Sequence, residues 1–145
     1  MPDIFGREGK RPTVACDLVI ISREAGDLNV LLVKRGQEPF KGMWALPGGF
    51  MEWDESCEET AARELFEETG VKDVELKMVG VFSEPGRDPR GTIVSVAYLG
   101  VVDGGDLELN AGDDAAEAAW FKLSDLPDLG FDHSEILKQA LKMLP

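Results

Sequence analysis

The stretch Gly48–Val71, GGFMEWDESCEETAARELFEETGV, decides how the rest of the chain is read. It reads as a turn followed by a helix from about Glu55 to Thr69. At about 100° per residue, with Glu64 set at 0°, Glu68 falls near 40° and Glu67 near −60°. Three carboxylates thus share about a third of the helix circumference. Glu64 and Glu68 are one turn apart, roughly 6 Å along the axis. Carboxylates this close repel and raise each other's pKa. A hard divalent cation relieves the repulsion, and Mg²⁺ and Mn²⁺ both take oxygen ligands. The apolar arc of the helix, Cys57, Ala61, Leu65, Ala62 and Phe66, is expected to face a core, with Glu68 inside its edge. A solvated acidic face with i,i+4 pairs accounts for Glu58, Glu59, Arg63 and Glu67. It does not account for an acid at the core edge, because buried charge needs a partner or a metal.

Upstream of the helix, Pro12–Ser22 and Asn29–Lys34 are rich in β-branched residues and predict a hairpin of two strands around the turn Glu24–Asp27. Asp17 interrupts the first strand. A loop, Arg35–Gly42, leads to Met43–Gly49, whose Pro47-Gly48-Gly49 turn lets backbone approach a ligand closely. The Gly-Lys-Ser/Thr of a phosphate-binding P-loop does not follow, which excludes an ATPase of that type. Downstream, Gly70 is placed to end the helix. Asp73–Ser83 and Thr92–Val102 predict strands, separated by the loop Glu84–Gly91. Asp103–Ala116 reads as an acidic loop and Ala119–Leu123 as a short strand. Asp132 with Glu135 suggests a capping box opening a last helix, which buries Ile136, Leu137, Ala140, Leu141 and Leu144. Strands interleaved with two helices in this order suit an α/β fold, a mixed sheet between helices.

The length of 145 residues suits one domain, residues 1–145, with residues 1–11 as an N-terminal arm. No apolar run reaches the ~20 residues of a membrane span, and the N-terminus lacks the apolar core of a signal peptide. Two cysteines make no disulfide framework, which suits a reducing cytoplasm. A net charge of −13 argues against binding a nucleic-acid backbone and repels polyphosphates at long range, so metal ions and local arginines must do the attracting.

Gly49, five residues, Glu55, seven residues, then Arg63-Glu64-Leu65-Phe66-Glu67-Glu68-Thr69-Gly70-Val71 resembles the Nudix box at every defined position. The resemblance implies a Nudix-type α/β/α sandwich over about residues 12–143 and hydrolysis of a nucleoside diphosphate linked to another group, with Mg²⁺ or Mn²⁺. It implies Glu64, Glu67 and Glu68 as metal ligands and catalytic acids, and the carbonyl of Gly48 as a further ligand. Glu55 and Arg63 would orient the loop and helix. Family members often carry a catalytic acid in the loop before the last strand; here Asp113, Asp114 and Glu117 are the choices, with Asp114 preferred.

The segment Ser83–Gly91, SEPGRDPRG, followed by Val-Ser-Val-Ala-Tyr, is similar to the ADP-ribose pyrophosphatase branch, whose members are commonly homodimers. Arg87 and Arg90 then become substrate-binding candidates through charge-assisted bonds, with Arg35 beside the Pro-Gly-Gly turn as a third. Phe40, Trp44 and Phe131 are candidates to stack on a base, although large aromatics more often fill cores, and Trp44 and Trp120 are read that way. His133, at a helix start, is read as structural or exposed. The expected reaction is cleavage of ADP-ribose, a small-molecule nucleotide, to AMP and ribose 5-phosphate. The alternatives are nucleoside triphosphate clean-up with release of pyrophosphate, and a sensor that binds ADP-ribose without cleaving it.

Overall fold

A computed structural model describes residues 11–24, 26–103, 109 and 115–145. The elements run β1 Thr13–Glu24, β2 Asp27–Arg35, β3 Trp44–Ala45, β4 Gly48–Phe50, α1 Cys57–Thr69, β5 Lys77–Phe82, β6 Ile93–Asp103, β7 Ala115–Lys122 and α2 His133–Leu141.

β1 is the spine. It lies parallel to β6 from Thr13↔Ile93 to Arg23↔Asp103, and β5 extends that side antiparallel to β6. On its other edge β1 is antiparallel to β2 only from Ile21↔Val30 to Glu24↔Asp27, closed by Gly26 at φ 85°. The two strands then part. Into the fork goes the segment β3–β4: Val33↔Ala45 on the β2 side and Asp17↔Gly48 on the β1 side. Leu18 N donates to Pro47 O at 2.8 Å and seals the fork. β7 closes the outer edge of β2.

Side chains alternate along a strand, and β1 uses both faces. Cys16, Leu18 and Ile20 pack with Ala61 and Leu65 of α1. Val19 and Ile21 pack with Ile136, Leu137 and Ala140 of α2. The sheet therefore lies between two helices, as the Nudix-type α/β/α sandwich requires. Asp17 is in phase with Val19 and Ile21, so it points toward α2. Cys16 and Cys57 are free thiols. Among the described residues no helix is long and apolar enough to cross a membrane.

Several expectations are corrected. α1 starts at Cys57, because Ser56 is its cap: Ser56 Oγ accepts from Glu59 N at 3.1 Å while Glu59 Oε1 accepts from Ser56 N at 3.0 Å. Its buried face holds Thr60, Ala61, Leu65, Glu68 and Thr69, whereas Ala62 and Phe66 are exposed. The arc is thus rotated toward the acids, and Glu68 lies well inside it. Both threonines enter the core with satisfied hydroxyls, Thr60 on Glu55 and Thr69 on Leu65 O. β5 starts only at Lys77, because Asp73 turns the chain at φ 60° and Val74 and Leu76 pack on the α1-side core outside the ladder. β7 starts at Ala115, so Glu117 is on a strand opposite Lys34. Asp132 caps α2 by position but makes no side-chain cap bond, since Arg87 takes its carboxylate.

Candidate active site

Arg63 organises the acidic helix. Its Nε donates to Glu55 Oε2 at 2.6 Å and its Nη2 to Glu55 Oε1 at 3.0 Å. The same guanidinium reaches Glu64 Oε1 at 2.8 Å, Glu67 Oε2 at 3.1 Å and the Phe50 carbonyl at 3.0 Å. Glu55 also accepts from Glu52 N and Thr60 Oγ1, both at 3.0 Å. The Arg63 bond dominates in holding the Glu55 carboxyl down at about 2. Loop, strand β4 and helix are therefore one hydrogen-bonded unit.

The helix presses its acids against the two glycines. Glu68 Oε1 accepts from Gly48 N at 3.0 Å. A Cβ on Gly49 would fall on the Glu64 carboxylate, and one on Gly48 would fall on Cys16 O and Asp17. Burial pushes the Glu68 carboxyl up to about 8; the Gly48 bond opposes this, and the neighbouring Glu64 and Asp17 charges add to it. Glu64 is also raised, chiefly by burial, with Arg63 opposing and Glu67 adding.

Among the described residues no three acid, histidine or thiol side chains already stand as a finished metal cage. The donor set nevertheless fits a hard cation. The acids offer only oxygen, and burial raises both the Glu64 and the Glu68 carboxyl, a cost that a divalent ion would offset.

Glu64 and Glu68 line one wall of a cavity of about 340 Å³, which Arg35, Arg87, Arg90 and Phe131 share. Arg90 is held by Asp88, at 3.1 Å from Nε and 2.8 Å from Nη2, and Asp88 is itself buried. Its guanidinium carbon stands 4.9 Å from the Phe50 ring centre and 5.4 Å from that of Phe131. Arg35 lies over Phe131 at 4.9 Å, with its Nε on Pro39 O at 2.6 Å. Arginine and aromatic planes thus form a ladder across the cavity. Arg87 differs: its side chain is only 4% exposed, bonds Asp132 through two nitrogens at 2.9 and 2.6 Å, and donates to Ile93 O.

The structure thus brings Gly48, Glu64, Glu68, Arg35, Arg87 and Arg90 to one cavity. Glu67 is half exposed and tied to Arg63. Glu117 is exposed and faces Lys34 at 3.9 Å. Asp113 and Asp114 lie outside the described residues. Phe40 packs on Phe131 at 4.7 Å and Trp44 on Phe121 at 4.7 Å, both edge-on. Sequence reading passes over Asp17 and undervalues His133, both buried and both lining the cavity. The only signal for Asp17 is a charge inside an otherwise apolar strand.

Residues 11–140 match the sequence model of the NUDIX domain. The ADP-ribose pyrophosphatase of Methanocaldococcus jannaschii is 47% identical over 131 residues, which span 90% of this chain and 74% of that protein. The NUDIX domain of Shewanella oneidensis NrtR, solved in complex with ADP ribose, superposes with a TM-score of 0.87 at 32% identity, covering 94% of this chain and 90% of that one. A bifunctional NMN adenylyltransferase/ADP ribose pyrophosphatase from Francisella tularensis, solved with AMP and a manganese ion, gives a TM-score of 0.81 at 32% identity over 95% of this chain and 43% of the larger protein.

Proposed function

The chain belongs to the Nudix family of hydrolases, and from that premise we propose that it is a divalent-metal-dependent ADP-ribose pyrophosphatase yielding AMP and ribose 5-phosphate. The observation that carries the reading is the meeting, in one cavity, of Glu64 and Glu68 on one side with Arg35 and Arg90 on the other. The named activity of the 47%-identical relative supports the choice of substrate.

Glu64, Glu67 and Glu68, with the Gly48 carbonyl, would hold the metal, Mg²⁺ by preference and Mn²⁺ as the ion seen in a similar structure. The bound ion supplies Lewis acidity toward the diphosphate oxygens and the attacking water. Arg63 holds Glu64 beside the glycine strand and pairs with Glu67, which offsets the repulsion between the two carboxylates. Arg90, braced by Asp88, and Arg35 neutralise the diphosphate or hold the ribose through charge-assisted bonds. Arg87 braces the same wall through Asp132. Phe131 packs against both guanidiniums and sets their positions at the cavity. The proton of the attacking water goes to one of the box acids or to Asp114.

A second reading, binding of ADP-ribose without cleavage, is favoured by the NrtR domain solved with that ligand. Incubation of the purified protein and Mg²⁺ with ADP-ribose and a set of deoxynucleoside triphosphates separates the readings. AMP and ribose 5-phosphate in equal amounts support the proposal. Pyrophosphate released faster from a triphosphate points to nucleotide clean-up, and binding of ADP-ribose with no turnover points to a sensor.

A further inference from the structure

The turn in the fork of the sheet is held by both helices at once. Leu46 and Pro47 link β3 to Gly48, the first residue of β4, and Pro47 has no N–H, so the turn has two amide donors, Leu46 and Gly48. Leu46 N donates to Nδ1 of His133, the first residue of α2, at 2.9 Å. Gly48 N donates to Glu68 of α1 at 3.0 Å. The carbonyl between them, Pro47 O, accepts from Leu18 N of β1 at 2.8 Å. The ring of Pro47 fixes φ near −65°, which removes one of the torsions through which a shift of Leu46 is absorbed before it reaches Gly48.

His133 is itself held from behind. Since Nδ1 accepts, the neutral ring carries its proton on Nε2, which faces Asp17 Oδ1 at 3.6 Å. Asp17 Oδ2 accepts from Ser95 Oγ at 2.5 Å and has Arg87 Nη2 at 3.9 Å. Arg87 in turn clamps Asp132, the residue before His133. Asp17 also walls Gly48, because a Cβ there would meet its carboxylate. His133 and Asp17 are 4% and 7% exposed. An apolar side chain would fill the position of His133 equally well as packing, but it would leave the buried amide of Leu46 without an acceptor.

We infer that His133, oriented by Asp17, is a positioning residue: it sets the Leu46–Gly48 turn and thereby the aim of Glu68 and the Gly48 carbonyl. The inference rests on reading those two groups as metal-holding. A histidine that only filled the core would stabilise the protein without any effect that travels past Leu46.

The test compares the full-length wild type with H133F, which removes the acceptor, and H133N, whose Oδ1 takes the place of Nδ1. Amide exchange in the metal-free protein is followed by NMR at Leu46 and Gly48, and Mn²⁺ binding by calorimetry. H133F is expected to exchange faster at both amides and to bind Mn²⁺ about 10-fold more weakly, with ADP-ribose kcat down about 10–100-fold and KM within about twofold, the range for outer partners of metal ligands. H133N is expected to restore protection at both amides and most of kcat. Faster exchange at Leu46 alone, with Gly48 and Mn²⁺ affinity unchanged, overturns the inference, as does equal loss in H133N and H133F. If H133F does not fold, H133Q carries the same comparison, since its amide reaches toward Asp17 and leaves Leu46 N–H unserved. The exchange and Mn²⁺ measurements decide even if ADP-ribose is not the substrate.

Discussion

Arg63 and Glu55 face each other through two parallel hydrogen bonds, 2.6 Å from Nε to Oε2 and 3.0 Å from Nη2 to Oε1. The remaining nitrogen, Nη1, serves Glu64 and Glu67. A lysine has no planar fork and cannot make these contacts together. R63K is therefore expected to lower kcat about 10–100-fold and to let the Glu55 carboxyl rise from about 2 toward the ordinary carboxylate value. Steady-state kinetics and a carbon-detected NMR titration of Glu55 check the two effects. An unchanged Glu55 titration with wild-type kcat contradicts the bracing role.

Glu68 has the opposite perturbation. Burial raises its carboxyl from 4.5 to about 8. In the metal-free protein the native state then holds a proton that the unfolded chain has lost between those values. Stability accordingly falls as pH rises from about 4.5 to about 8. E68Q carries no such charge, so in EDTA its Tm is expected to exceed that of the wild type at pH 8.5 by more than it does at pH 5.5. Metal binding must also expel the proton, so Mn²⁺ affinity is expected to increase with pH up to about 8. Thermal scans and calorimetry in buffers of different ionisation enthalpy measure both. A pH-independent Tm difference would falsify the buried-charge argument.

The two glycines of the turn should fail differently. A methyl on Gly49 meets the Glu64 side chain, which can swing away, whereas one on Gly48 meets the backbone oxygen of Cys16. G49A is expected to fold and lose about 100-fold or more in metal-dependent rate, in line with displacement of a catalytic group by about 1 Å. G48A is expected to lose stability as well, by about 1–3 kcal/mol from overpacking. Circular-dichroism melts set beside kcat distinguish them, and equal Tm losses in the two variants would be the contrary result.

Arg87 and Arg90 are three residues apart in a Pro- and Gly-rich loop, yet they have different tasks. Removing Arg87 leaves Asp132 unpaired, so R87A is expected to cost about 3 kcal/mol in denaturant unfolding. R90A leaves the buried Asp88 carboxylate without its guanidinium partner, so it too is expected to cost stability, and it is expected to raise KM for ADP-ribose, since the Arg90 side chain is the more exposed of the two at 39%. A KM effect from R87A at unchanged stability, with none from R90A, would reverse the assignment.

The acidic helix is legible in sequence because Glu64 and Glu68 share a face whatever the tertiary context. The strands of the hairpin are legible from β-branched runs. The phase of the buried face is less so: polarity favours Phe66 over Thr60 and Thr69, but local hydroxyl partners let the threonines in and leave Phe66 at 52% exposure. The cap at Asp132 reads correctly by position and wrongly by bond, because Arg87, 45 residues away, competes for the carboxylate. The pairing of Asp17 with His133 depends on the parallel register of β1 and β6 and on the placement of α2, neither of which one sequence states. The arginine loop reads as a single clamp because nothing local separates a buried guanidinium, Arg87, from one at the cavity mouth, Arg90.

The central claim is that Glu68 and its neighbours hold the divalent ion that hydrolysis requires. The direct measurement is single-turnover cleavage of ADP-ribose by the wild type and E68Q, with Mg²⁺ and with EDTA, alongside ADP-ribose affinity by calorimetry. The account predicts rapid formation of AMP only by the wild type with Mg²⁺, a rate in E68Q lower by about 100-fold or more, and ADP-ribose affinity in EDTA equal for the two proteins. Cleavage by E68Q near the wild-type rate, or wild-type cleavage indifferent to EDTA, would contradict it.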